Sequence, residues 1–362
     1  MAPETVLPPP AGEVPGPDAR PVQKGLGERA RPFLRWESGL LVAVLAILVF
    51  GVQTSSAFLT SGNIFDLSLN IGEVALMTLP LTLIIVTGEI DLSIASTLGL
   101  SSAMTGYLWS HGWSMPSIFI TVLAIGGACG AFNGLLVTRF GLPSLAVTIG
   151  TLTLYRGIAI VILGPKTIST FPTRYTNIGI NTFPHTFLSW SMVFFLVLAV
   201  LFGLVLHFTP LGRSLFVIGA NQEAAVYAGI RVKRIKSGLF ILSGIVCAFA
   251  GMLYTFKLST AVQDNGLGLE LTVVAIVLLG GVSIFGGTGS ILGVGLAVFT
   301  YAGLQNALFL TSFPQRALGI VTGGLLIVSV LVPNIGSFVQ RAREGLRRRE
   351  VRGRAAIEGT DG

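Results

Sequence analysis

Charge is scarce in this chain. Of 362 residues only 11% are Asp, Glu, Lys or Arg, about half the usual share for a soluble domain. Cysteine is nearly absent. Cys129 and Cys247 both lie inside apolar runs, which excludes a disulfide framework and leaves them as small packing residues. The three histidines, His111, His185 and His207, are scattered without H-x-x-x-H spacing, and with two cysteines they make no metal set. No G-x-x-x-x-G-K-[ST] occurs, and GGTGS at Gly286–Ser290 lacks the lysine, so the chain has no phosphate-binding loop of its own. No catalytic constellation, metal or cofactor is expected.

Hydrophobic sequence fills the space. The apolar share is 52%, the mean hydropathy is +0.81, and runs near 18 residues recur, each able to cross about 30 Å of hydrocarbon as a helix. The predicted fold class is therefore all-α, a polytopic membrane protein. The 46 glycines agree, because small residues let membrane helices approach closely.

Ten spans are predicted: about 38–55, 64–87, 92–110, 117–138, 143–163, 188–208, 237–256, 271–285, 288–310 and 316–333. The eighth is short for a full crossing. With both termini placed in the cytosol, inner segments hold 18 of the 23 Lys and Arg. Outer loops hold Lys166, Arg174, Lys257 and Arg316, and Arg156 alone lies within a span. This asymmetry satisfies the positive-inside rule. Three segments follow: a Pro-rich cytosolic tail over 1–36 without a cleavable signal, a membrane domain over 37–335, and a basic tail over 336–362. The basic run QRAREGLRRREVRGR reads as a topology anchor on anionic lipid rather than a nucleic-acid patch.

Polar groups inside such a chain stand out. In TGEIDLSIAS (Thr87–Ser96), Gly88, Glu89, Asp91 and Ser93 form a turn between the second and third spans. The topology puts this turn in the cytosol, where Glu89 and Asp91 are expected to be solvated, with Asp91 capping the third helix. A weak echo occurs at LGGVSIFGGTGSILG, with Gly280, Gly281, Gly286 and Gly287 in a turn on the same side. The longest inner loop, Thr209–Lys236, contains NQEAAVYAGI. There Asn221 is expected to cap a short helix, Glu223 to sit in its first turn and Gly229 to end it. Ala224, Ala225 and Ala228 should leave one face small and open to a partner. Glu73 and Arg156, both in the outer half, should pair with each other or line a vestibule, with Gln305 and Asn306 at similar depth.

Three motifs in order, TGEIDLSIAS, GANQEAAVYAGIRVKRIK with LSGIVCAFAGML, and AIVLLGGVSIFGGTGSILG, carry a family resemblance over about residues 40–335. The chain resembles the permease subunits of bacterial ABC importers of the ribose, rhamnose and autoinducer 2 group. LPLTLIIVTG and GLQNAL place it nearest the autoinducer 2 and rhamnose branch. The resemblance implies a location in the cytoplasmic membrane and a second permease copy or homologue. It also implies separate ABC ATPase subunits seated on the Asn221–Ile230 helix, and an extracytoplasmic sugar-binding protein. Two positions depart from the family form: Glu89 and Ala95 each stand where glycine is usual. The alternatives are a branched-chain amino acid permease, an ion-coupled carrier, a membrane enzyme, or a lipid or drug exporter.

Overall fold

The computed structural model describes the backbone over residues 26–311 and at scattered positions from 319 to 331, with side chains from Trp36 onward. The tenth predicted span, 316–333, and the basic tail fall largely outside the described residues.

Twelve helices are described: α1 (Leu26–Thr54), α2 (Ser61–Val86), α3 (Ile94–Ser110), α4 (Met115–Arg139), α5 (Ser144–Leu163), α6 (Thr173–Ile180), α7 (Trp190–Phe208), α8 (Pro210–Ala220), α9 (Gln222–Tyr227), α10 (Val232–Leu258), α11 (Leu269–Leu279) and α12 (Ile291–Leu310). Among the described residues there is no strand, only two isolated bridges, Ile168 with Ala261 and Thr182 with Ser189. The protein is an all-α, polytopic membrane protein. Among the described residues seven helices are long and apolar enough to cross a membrane: α1 from Trp36, α2, α4, α5, α7, α10 and α12. At 17 residues α3 is just shorter, and α11, with 11, reaches only part of the way. Below, "inner" denotes the end bearing the basic loops and "outer" the opposite end. The first helix begins at Leu26, so it enters the segment expected to be tail.

Polar helix starts recur. Thr60, Ser114, Ser189, Thr209 and Ser290 each accept a bond from the backbone N–H three residues on, which satisfies an otherwise orphaned donor. The centre of the molecule is α2. From Ile71 to Val86 every residue is buried, as expected of a helix that is apolar all round. Its hydroxyls do not conflict with this. Thr78 donates to Ala75 O at 2.6 Å and Thr82 to Thr78 O at 2.7 Å. Around α2 pack α7, α10, α11 and α12, while α3 joins α4, α5 and α10.

Candidate functional site: the inner turns and the outer polar groups

At the inner end three turns meet. The chain leaves α2 with Gly88 at φ +79°, and the turn between α11 and α12 has Gly286 at +82° and Gly287 at +78°, a backbone region that costs glycine nothing. Gly287 N–H donates to Val86 O at 2.9 Å. The end of α8 closes on both: a Cβ at Gly219 would strike Val86 O and Gly287 N. Gly280 ends α11, and Gly281, at φ +83°, lies under the Trp36 ring, whose Nε1 donates to Leu279 O at 3.0 Å. The two turns likened to each other in the sequence therefore touch.

Asp91 is not solvated. It is 3% exposed, and its Oδ1 accepts from Ser93 N at 3.0 Å and Ser93 Oγ at 2.6 Å, while Oδ2 accepts from Ser243 Oγ on α10 at 3.1 Å. The helix N-cap itself is Ser93, without a side-chain cap bond. From Ser93 the network continues: Asn133 Nδ2 donates to Ser93 Oγ at 2.8 Å, and Tyr155 OH donates to Cys129 O at 2.8 Å and Asn133 Oδ1 at 3.3 Å. One network that starts at this carboxylate thus links α3, α4, α5 and α10. The loop is pinned from the side as well, Ile90 N donating to Ser144 Oγ at 3.1 Å. Burial raises the Asp91 pKa above the usual carboxylate range, and the bonds from Ser93 and Ser243 oppose that shift. Asp91→Asn, which keeps an acceptor and drops the charge, is expected to stay within about 1 kcal/mol of the parent. Asp91→Ala, which strands Ser93 and Ser243, should cost about 1–3 kcal/mol. Thermal unfolding of the purified protein in detergent checks both.

Glu89 is likewise engaged. Lys236 at the start of α10 sits 2.6 Å from Glu89 Oε1, and its Nζ also donates to Gln222 Oε1. The residue that departs from the family form therefore ties the α2–α3 turn to α9 and α10. Sequence reasoning missed this partner, because Lys236 lay in a basic run read as a topology signal.

The inner loop folds as α8 and α9, broken at Asn221, whose Oδ1 accepts from Ala224 N at 2.9 Å. Glu223 lies in the first turn, and Gly229, at φ +78°, follows the helix end. The proposed small face needs correction. Ala225 is fully buried against Ile218 and Val232, so it cannot meet a partner. Ala224 and Ala228 are exposed. The reason is helical phase: residues 224 and 228 share a face, and 225 is turned about 100° inward. The large outward groups are Val226 and Tyr227, the latter 92% exposed, and they were not singled out from sequence.

At the outer end Glu73 and Arg156 do not pair. Glu73, 1% exposed, binds Lys257 Nζ at 2.7 Å and accepts from Ser191 Oγ at 3.0 Å. Lys257, placed by sequence in an outer loop, belongs to the last turn of α10, donates to Leu69 O at 3.0 Å and sits 5.1 Å from the Tyr254 ring centre. Arg156 instead clamps the α10–α11 loop, donating to Asn265 O at 2.7 Å and Gln263 O at 3.3 Å. The two expected partners diverge because α2 packs on α7 and α10, whereas α5 packs on α3. Asn306 exchanges amide bonds with Asn63 at 2.8 and 3.0 Å, and Gln305 donates to Tyr301 OH at 3.3 Å. Both border a cleft of about 420 Å³.

Comparison with known proteins fits this architecture. The family described as branched-chain amino acid transport system / permease component matches residues 63–330. The autoinducer 2 import system permease protein LsrD of Yersinia enterocolitica is 34% identical over 323 residues, covering 87% of this chain and 96% of that protein. The LsrD proteins of Escherichia coli K12 and Shigella flexneri are 32% identical over 327 residues, with the same coverage. No solved structure matches. An all-α bundle of apolar helices, aligned over most of its length with transport permeases, makes this chain a member of the branched-chain amino acid transport system / permease component family, a multi-pass protein of the cytoplasmic membrane.

Proposed function

We propose that the chain is the membrane-spanning subunit of an ATP-driven importer for a small sugar or sugar-like signal of the autoinducer 2 type. The observation that carries this reading is the inner surface. A short capped helix, α9, bares Tyr227 and Val226, is seated by Ala225 on Ile218 and Val232, and follows the end of α8 that is wedged against the α2–α3 and α11–α12 turns. A bare connector needs no such device. ATPase subunits would dock there, with Asn221, Glu223, Ala224 and Gly229 fixing the helix. Movement of α9 would pass through Lys236 to Glu89, and along α10 through Ser243 to Asp91. A second copy or homologue and an extracytoplasmic sugar-binding protein complete the machine. Residues 1–36 would form a cytosolic tail, and 336–362 would lie on anionic lipid. The autoinducer 2 import named in the relatives favours that cargo over the amino acids in the family's description. An ion-coupled carrier needs an available deep carboxylate; the two buried carboxylates among the described residues, Glu73 and Asp91, are both engaged, and Asp66 lies near the outer end of α2.

In membranes holding the ATPase and binding protein, ATP-driven uptake of autoinducer 2 is the expected result. Uptake of leucine in its place would transfer the reading to branched-chain amino acids. Tyr227→Glu and Ala224→Arg should each cut ATPase co-purification by about tenfold or more, the effect of losing an interface hot spot worth about 2 kcal/mol. Undiminished co-purification and uptake would remove α9 from the docking role.

A further inference from the structure

Between the outer ends of α2 and α12 lies the cleft of about 420 Å³, lined by Asn63, Asp66, Asn70, Gln305 and Asn306 with Leu67 and Phe309. Positions 63, 66 and 70 are three and four apart, so they share one face of α2. Asn70 lies about 14 Å along the helix from Ser61 at 1.5 Å per residue. Asp66 and Asn70 are exposed, and no side-chain bond joins either to another described residue. Hydrocarbon cannot solvate such a stripe, so this face meets water or a polar molecule. The Asn63–Asn306 amide exchange fixes the two helices at the mouth.

The lining has a definite chemistry. The Asn70 carboxamide keeps two N–H donors and a carbonyl acceptor, and Asn306 and Gln305 each keep one N–H beyond their bonds to Asn63 and Tyr301, the complement of a hydroxyl group that both donates and accepts, whereas Asn63 spends both N–H groups on Phe58 O and Asn306 Oδ1. Asp66 adds acceptors and negative charge, and no basic side chain is among the described lining residues. An anion entering would meet the repulsion of Asp66, and neither it nor the carboxylate of an amino acid would find a counter-ion among the described lining residues. We propose that this cleft is an outer binding site for a small, uncharged, polyhydroxyl ligand, in which the carboxamides pair with hydroxyls and Asp66 turns anions away. The proposal builds on the importer reading and assigns its cargo a place and a charge.

The test is protection from labelling, which needs no transport. In right-side-out vesicles holding the full chain, Asn70→Cys is exposed to a membrane-impermeant maleimide from outside. Cys129 and Cys247 are buried and give a low background. Labelling is expected, and saturating ribose or autoinducer 2, at about ten times its Kd, should slow it about tenfold by mass action, while ribonate and leucine should not. Asp66→Asn in the same background should let ribonate protect. No labelling means that another segment or a second copy covers the stripe, and overturns the site. Labelling that none of the four compounds slows also overturns it, as does equal protection by ribonate before the Asp66 change. Because labelling is read without ATP, failed uptake with intact protection would sink the importer reading alone.

Discussion

A Lys257→Met variant is expected to lose about 3–5 kcal/mol of stability, enough to remove most folded protein from the membrane. The partner left behind is Glu73, 1% exposed, with Ser191 Oγ the one side-chain donor remaining among the described residues. An ionised carboxylate enclosed without its cation carries the full cost of desolvation. The two charges are 2.7 Å apart, and Lys257 also donates to Leu69 O, a second bond lost with it. Glu73→Ala should be nearly as harmful for the mirror-image reason. The double variant, Glu73→Met with Lys257→Met, gives the discriminating result. It removes both charges at similar volume and should recover most of the stability lost by either single change. Protein level and the thermal midpoint in detergent measure all three. A Lys257→Met protein that melts with the parent would mean that water reaches Glu73. A stable double variant that no longer transports would give Glu73 a place in the pathway as well as in the packing.

The spans were legible because hydrophobic length is a local property. The second, fifth and sixth predicted spans lie within a few residues of α2, α5 and α7. The seventh was drawn five residues late. Val232–Lys236 looked like loop because of its charges, yet it is the first turn of α10, where Lys236 folds back onto Glu89 and Gln222. The eighth was carried six residues too far, because Gly280 and Gly281 end α11 before the turn begins. Partners were not legible. Glu73 and Lys257 are separated by 184 positions, and their meeting depends on α2 lying beside α10, which hydropathy does not encode. Asp91 was placed in water because its loop is inner. Inner is not the same as exposed, and a loop seated on α10 shields its carboxylate as well as a helix would. Ala225 failed by one step of helical phase.

Gly130→Val should be the most damaging single change in the bundle for its size. Gly126, Gly130 and Gly134 are spaced by four and form a smooth stripe on α4, which is laid against α10 in the most extensive helix pair described. A Cβ on Gly130 would strike the Phe240 carbonyl, one on Gly126 would strike Gly244 O and Ala248 Cβ, and one on Gly244 would strike Gly126 O. These obstacles are backbone atoms and one Cβ, none of which can rotate aside. In lipid, where apolar burial gives helices little reason to associate, such close approach is a main source of attraction. A valine here must hold the helices apart along the whole seam, so the cost should reach or pass the upper end of the about 1–3 kcal/mol usual for overpacking. The displacement also travels. The same α10 holds Lys236 to Glu89, Ser243 to Asp91 and Lys257 to Glu73, so one shift strains the inner turn and the outer ion pair together. Gly150→Val supplies the control, since a Cβ there meets nothing within 4 Å. Equal melting of the two variants would mean that the seam is looser than drawn. If the seam is one unit, Gly130→Val combined with Gly244→Val should cost less than the sum of the two, because helices already forced apart have less contact left to lose.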